Sequence, residues 1–120
     1  MIDHVSLKVR DLAASKKFYA AALAPLGYVV MMEYPGAIGL GADGKPDFWL
    51  SVAATPTPTH LAFAAKGRDV VNAFHDAAIA AGGKDNGKSG LRPEYHPSYY
   101  GAFILDPDGH NIEAVTHTPG

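Results

Sequence analysis

Two histidines and one glutamate in this 120-residue sequence are spaced so that they could bind one metal ion. His4 and His60 each lie at the start of a segment of alternating residues, and Glu113 lies inside a third such segment near the C-terminus. Two imidazoles and one carboxylate form a facial ligand set that leaves coordination positions open. A divalent ion held in this way acts as a Lewis acid and as a template for a substrate. The chemistry to expect is therefore metal-assisted.

The alternation predicts where these three side chains point. The apolar positions of the three segments are Val5, Leu7 and Val9, then Leu61 and Phe63, then Ile112 and Ala114. Such a period of two is typical of strands with one buried face. Because successive side chains point to opposite faces of a strand, His4, His60 and Glu113 are predicted to share the face away from the core.

A repeat in the sequence predicts the elements that carry these residues. At an offset of 56 residues His4 aligns with His60, Phe18 with Phe74, and Gly27 with Gly83. Each half reads as a strand, a helix and further strands, with Asp11 and Asp69 as helix caps. We predict one α+β domain over residues 1–120, built from two βαβββ modules at about 1–55 and 58–117. Their strands form a curved mixed sheet around a cleft, and the helices cover its outer face.

The segment from Lys84 to Gly101 has little regular pattern and is interpreted as a binding loop, although an ordinary loop with packed tyrosines fits it equally well. Tyr100 and His96 are the predicted catalytic groups, with His96 as the acid or base. The residues predicted to contact substrate are Trp49, Arg92, Tyr95 and Tyr99. Arg92 could hold a carboxylate, and the aromatic rings could stack on a planar substrate.

Three strings of residues resemble a known superfamily. They are Asp3-His4-Val5, Thr59-His60-Leu61-Ala62-Phe63, and the string Leu105-Asp106-Pro107-Asp108-Gly109-His110-Asn111-Ile112-Glu113. In these the chain resembles the glyoxalase, bleomycin-resistance and extradiol dioxygenase proteins, also called vicinal oxygen chelate proteins. The resemblance implies a divalent metal held at His4, His60 and Glu113. It also implies a homodimer whose clefts are shared, so that one site can mix ligands from two chains.

The resemblance leaves the reaction type open. Glyoxalase I enzymes of this superfamily carry a fourth ligand, a carboxylate, at the position that the repeat assigns to Trp49, so true glyoxalase I activity is disfavoured. The remaining three-ligand pattern is similar to dioxygenases and thiol transferases, and a lyase related to lactoylglutathione lyase is also compatible. The alternative hypothesis is a metal-independent small-molecule binding protein of the bleomycin-resistance type.

Composition excludes several other classes of function. The formal net charge is −2 and no block of Lys or Arg occurs, which argues against nucleic-acid or anionic-membrane partners. Cysteine is absent, which excludes disulfides, thiolate catalysis and cysteine-based metal sites. The sequence has no apolar run long enough to span a membrane and no evident signal peptide, so a cytoplasmic location is expected. The ligand set suits Fe, Mn, Ni, Co or Zn without choosing among them.

Overall fold

A computed structural model describes residues 1–120 as two βαβββ units. The first unit contains β1 (Val5–Val9), α1 (Leu12–Ala22), a 3₁₀ turn (Ala24–Leu26), β2 (Val29–Tyr34), β3 (Ala37–Ala42) and β4 (Lys45–Val52). The second contains β5 (His60–Ala64), α2 (Arg68–Ala80), β6 (Lys84–Leu91), β7 (Tyr100–Leu105) and β8 (Asn111–Thr116). The strands form two four-stranded mixed sheets, in the orders β1-β4-β3-β2 and β5-β8-β7-β6. The predicted α+β class and paired modules are confirmed, with the strands divided between two sheets.

The residues at the start of each helix determine where it begins. The Asp11 side chain accepts a hydrogen bond from the Ala14 amide at 3.0 Å, so the predicted cap of α1 is confirmed. The second helix differs from the prediction, because its cap is Gly67 and Asp69 lies inside the first turn. A carboxylate there still interacts favourably with the helix dipole. Neither helix is long and apolar enough to span a membrane.

One hydrophobic core connects the two units. Tyr19 on α1 packs edge-to-face on Phe48 of β4, with ring centroids 5.0 Å apart, and Phe48 packs in the same way on Phe63 of β5 at 5.1 Å. Leu7, Val9, Ile112 and Ala114 are buried, and these are positions that the alternation assigns to the core. Both sheets therefore turn their helix-covered faces into the same interior and leave their other faces outside it.

The edge strands β1 and β5 lie near each other and run in opposite directions. Nε2 of His110 lies 2.7 Å from the Lys8 carbonyl oxygen near the end of β1, while its Nδ1 accepts from the Thr59 amide just before β5. At the opposite end, residues before β1 and Ala64 at the end of β5 line a common cavity of about 330 Å³. The first residues of the two strands consequently lie at opposite ends of this strand pair.

The prediction of a loop from Lys84 to Gly101 is partly wrong, because Lys84–Leu91 forms β6 and pairs with β7. The pairing shifts register at two places, between Asp85 and Gly87 and between Gly87 and Gly90. Glycines and short polar residues are poor strand formers, so the segment carries no strand signal of its own. Its conformation comes from the hydrogen bonds that β7 offers to an edge strand with bulges.

Candidate metal centre

The face of the second sheet that is not covered by helices brings two of the three predicted ligands together. Strands β5 and β8 are parallel neighbours in which His60 pairs with Asn111 and Ala62 with Glu113, so the two side chains project from the same face. Nε2 of His60 lies 2.9 Å from Oε1 of Glu113. The Glu113 side chain is buried, with 2% exposure, whereas that of His60 is 54% exposed. The pair is therefore anchored on one side and open on the other.

The second carboxylate oxygen of Glu113 is also engaged. The hydroxyl of Tyr99 donates a hydrogen bond to Oε2. Burial, together with the hydrogen bond to Glu113 and its negative charge, raises the pKa of Tyr99 well above the usual phenol value. The phenol therefore stays protonated and remains a donor. A buried carboxylate is stable only when its oxygens have such partners.

The donor atoms fit a first-row divalent ion. Metal–nitrogen and metal–oxygen bonds to such ions are about 2.0–2.2 Å long, so two ligands at right angles lie about 3 Å apart. The 2.9 Å between Nε2 of His60 and Oε1 of Glu113 is close to this separation, and it is also the length of a direct hydrogen bond between the two groups. A nitrogen and a carboxylate oxygen are also the donor types that Fe, Mn, Ni, Co and Zn accept.

Within one chain His4 does not join this pair, although strand parity assigns all three side chains to the face away from the core. A site that mixes ligands from two chains, as the resemblance implies, stays a prediction. It is exposed, lies just before β1, and its Nδ1 is 2.7 Å from Oδ1 of Asp3. Asp3 also accepts from Nζ of Lys45 at 2.6 Å, and both contacts lower its pKa. The physical reason is the opposite direction of β1 and β5, which separates their first residues. Parity predicts the face of a sheet but not the end of it.

Tyr100 also departs from its predicted place at the site. Its hydroxyl donates to Oδ1 of Asn72 on α2 at 2.7 Å, and the Arg68 guanidinium lies 5.0 Å from its ring centroid. Tyr100 therefore points to the helix-covered side of the sheet, away from Glu113. Tyr99, one position earlier, contacts Glu113 instead, because neighbouring residues point to opposite faces.

Three further rings surround Tyr99. Those of Tyr95 and His117 lie edge-on to it, with centroids 5.1 and 5.2 Å away, and His96 packs on His117 at 5.5 Å. Of the predicted residues, Tyr99 contacts Glu113 directly, Tyr95 packs on Tyr99, and His96 packs on His117. His117 was not predicted here. It directly follows β8, and its even spacing from Glu113 in the sequence was the available signal.

Arg92 lies at the mouth of an adjoining pocket. This pocket has a volume of about 270 Å³ and is lined by Asn86, Gly87, Arg92, Tyr95, Phe103 and Asn111. The guanidinium donates to the carbonyls of Gly90 and Lys88 and lies 5.4 Å from the Phe103 ring centroid. Phe103 in turn lies 6.2 Å from the His60 ring. The guanidinium forms no ion pair, so it leaves donors free for an anionic group beside His60.

Trp49 lies on the other sheet. Its ring stacks on Tyr34, with centroids 6.2 Å apart and an interplanar angle of 15°. It also covers Gly39, where an added Cβ would lie 2.9 Å from the indole. Within one chain Trp49 therefore forms an aromatic surface on the first unit, separate from the His60–Glu113 pair.

A second group of possible ligands is Asp106, Asp108 and His110, whose donor atoms lie within 4.8 Å of one another. Their lone pairs are largely in use. Both oxygens of Asp106 accept hydrogen bonds, both ring nitrogens of His110 are bonded, and Oδ1 of Asp108 accepts from the Arg10 amide. We therefore interpret this group as a structural link between the two units.

Comparisons with known proteins agree with this architecture. Residues 1–114 match the model of the family described as Glyoxalase/Bleomycin resistance protein/Dioxygenase superfamily. No curated protein matches the chain. A glyoxalase/bleomycin resistance protein from Albidiferax ferrireducens T118 is 31% identical, with a TM-score of 0.82 over 95% of this chain and 96% of that one.

Two further solved structures are more distant. A glyoxalase/bleomycin resistance protein/dioxygenase family enzyme from Burkholderia phytofirmans PsJN is 19% identical, with a TM-score of 0.76 over 98% of both chains. The protein named oxidase ChaP-H2 is 25% identical, with a TM-score of 0.67 over all of this chain and 95% of that one. The first of these supports the fold alone.

Proposed function

Since the chain belongs to the glyoxalase/bleomycin resistance protein/dioxygenase superfamily, we propose that it is a divalent-metal-dependent enzyme acting on a small oxygen-chelating substrate. The observation that carries the proposal is the His60–Glu113 pair, in which an imidazole nitrogen and a buried carboxylate oxygen lie 2.9 Å apart on an open sheet face. The absence of a carboxylate at Trp49 disfavours true glyoxalase I chemistry, and dioxygenase, lyase and thiol-transferase reactions remain the candidates. The similarity to a protein named oxidase adds support for oxidative chemistry.

The third ligand in this proposal is His4 of a second copy of the chain. His4 is exposed and stands outside the pair in a single chain. A homodimer could place the helix-free face of one subunit's first sheet against the helix-free face of the other subunit's second sheet. It would then bring His4 and Trp49 of one subunit to His60 and Glu113 of the other. Both faces carry exposed aromatic residues, Tyr34 and Tyr95, for such an interface to cover.

The residues of this chain have separate tasks. His60 and Glu113 would hold an ion that polarises two adjacent oxygens of the substrate. Arg92 can bind a carboxylate or another anionic substituent through its free donors. His96 packs on His117, and His117 packs on Tyr99, so the two imidazoles are the candidate acid or base groups at the edge of the site.

Metal titration of the purified, metal-free protein tests the proposal. We expect Fe²⁺, Mn²⁺ or Zn²⁺ to bind at about one ion per chain and to raise the melting temperature. His60→Ala, Glu113→Gln and His4→Ala should each weaken binding by at least the ~10–100-fold that loss of a ligand's supporting hydrogen bond costs. His75→Ala is the matched control, since this histidine pairs with Asp85 elsewhere. Equal binding by all four variants contradicts the ligand assignment.

One observation favours a second candidate, a metal-independent binding protein. Both oxygens of Glu113 already have hydrogen-bond partners in the absence of an ion, namely His60 and Tyr99. In that case the same titration shows no binding and no thermal stabilisation by any of the three metals. Stabilisation by an aromatic, anionic small molecule alone would then support this second function.

A further inference from the structure

Backbone hydrogen bonds and neighbouring rings hold Tyr99 in contact with Glu113. The amide of Tyr99 donates to the His96 carbonyl at 3.1 Å, and its carbonyl accepts from the Arg92 amide at 2.8 Å. The rings of Tyr95 and His117 flank the phenol. The loop between β6 and β7 is thus closed by backbone hydrogen bonds, and the ring it presents has little freedom to turn away from Glu113.

Gly101 provides the space in which this contact forms. It lies on β7 opposite Val115, on the same face as Glu113. A Cβ at this position would lie 3.2 Å from Cε1 of Tyr99 and 3.3 Å from Oε2 of Glu113. Its φ angle is not positive, so the backbone itself does not require glycine. The requirement comes from the two side chains that meet above it.

We propose that Tyr99 is a positioning residue for the candidate metal centre, holding Oε2 of Glu113 above Gly101 so that Oε1 alone faces His60 and the ion. The inference deepens the proposed function and rests on it. A carboxylate that ligates through one oxygen needs its other oxygen bonded to keep its orientation. A phenol is a suitable donor here, because it is neutral and adds no charge beside the ion.

Tyr99→Phe tests the proposal in the full-length protein, with Zn²⁺ and Co²⁺ as probes. The variant keeps the ring and loses only the hydroxyl. We expect Zn²⁺ affinity, measured by competition with a chelator, to fall about 10–100-fold. The visible spectrum of bound Co²⁺ should also change, because the released Oε2 can then bind the ion as well. A merely structural hydroxyl would leave that spectrum unchanged.

Tyr28→Phe is the matched control. It also removes a phenol hydroxyl that donates to a carboxylate, Oδ1 of Asp47 at 2.7 Å, but in the other unit. It should lower the melting temperature of the metal-free protein and leave Zn²⁺ affinity within about threefold of wild type. Gly101→Ala, which removes no hydrogen-bonding group, should weaken Zn²⁺ binding in the same direction as Tyr99→Phe.

The outcomes separate this inference from the proposed function. If the wild-type protein binds neither Zn²⁺ nor Co²⁺, the metal-dependent function is overturned and the positioning role with it. If the wild type binds and Tyr99→Phe matches it in affinity and Co²⁺ spectrum, only the positioning role is overturned. A loss confined to Tyr99→Phe and Gly101→Ala supports it.

Discussion

At the scale of single residues, the motif before β8 combines structural and chemical roles in one string. Asp106 accepts hydrogen bonds from the Tyr19 hydroxyl at 2.5 Å and from the amides of Asp108 and His110. His110 then connects β1 to the start of β5. Burial and the negative charge of Asp106 raise the pKa of Tyr19, so this phenol remains a donor. Glu113, three residues after His110, faces the candidate site instead.

His110→Ala separates these roles. The substitution leaves the two backbone partners of the imidazole without a hydrogen bond and opens a small cavity. We therefore expect the free energy of unfolding to fall by about 2–4 kcal/mol. Urea denaturation of the metal-free protein measures this change. The stoichiometry of bound Zn²⁺ should stay the same. A lost ion with unchanged stability would instead identify Asp106, Asp108 and His110 as the metal site.

At the scale of elements, β6 shows how a strand can form from a sequence that does not favour one. Gly87 adopts a φ of 149°, a backbone conformation that residues other than glycine rarely adopt. An added Cβ would lie 3.0 Å from Cδ1 of Phe103. The glycine allows the bulge, and the bulge places Arg92 over Phe103. The sequence pattern indicated a loop because its glycines and polar residues serve this irregular pairing.

Gly87→Ala should therefore destabilise the protein by about 1–3 kcal/mol, as expected for a strained backbone position. Gly90→Ala is the control, because its φ is not positive. Its added Cβ would lie 3.2 Å from the flexible end of Arg92 and in ordinary contact, at 3.9 Å, with the Lys88 carbonyl oxygen. Thermal and urea unfolding of both variants measure the difference. Equal losses for the two alanines would show that backbone conformation at Gly87 is not the cause.

At the scale of the whole molecule, the relation between the two units decides which ligands can meet. The units share one core, yet β1 and β5 run in opposite directions, so His4 and His60 lie at opposite ends. In a dimer with a twofold axis, every contact from the first subunit to the second is repeated from the second to the first. A dimer can therefore form two equivalent centres, each with His4 from one subunit and the His60–Glu113 pair from the other.

Mixing two defective variants tests this arrangement. His4→Ala and His60→Ala dimers should each bind Zn²⁺ weakly. After unfolding and refolding together, half of the dimers are mixed, and each mixed dimer holds one complete centre. Tight Zn²⁺ binding should then return to about a quarter of the wild-type level. No recovery in dimers shown to have exchanged subunits would mean that all ligands come from one chain.

The sequence alone determined what depends on neighbours along the chain. The Asp11 cap, the alternation of β5 and β8, and the shared face of His60 and Glu113 follow from local geometry of fixed period. The same parity separates His110 from Glu113, and the structure places His110 in the interior. The side of each strand on which these residues lie needs no knowledge of how distant segments approach each other, whereas the pairing of β5 with β8 does.

Only the tertiary structure decided the rest. It alone shows that β5 runs opposite to β1, that β7 pairs with the glycine-rich β6, and that Tyr99 rather than Tyr100 meets Glu113. Each of these depends on contacts between segments far apart in the chain. Such contacts follow from packing of the whole core. Because the hydrophobic effect is non-directional, the period of a segment shows which of its faces is buried but not which distant segment covers that face.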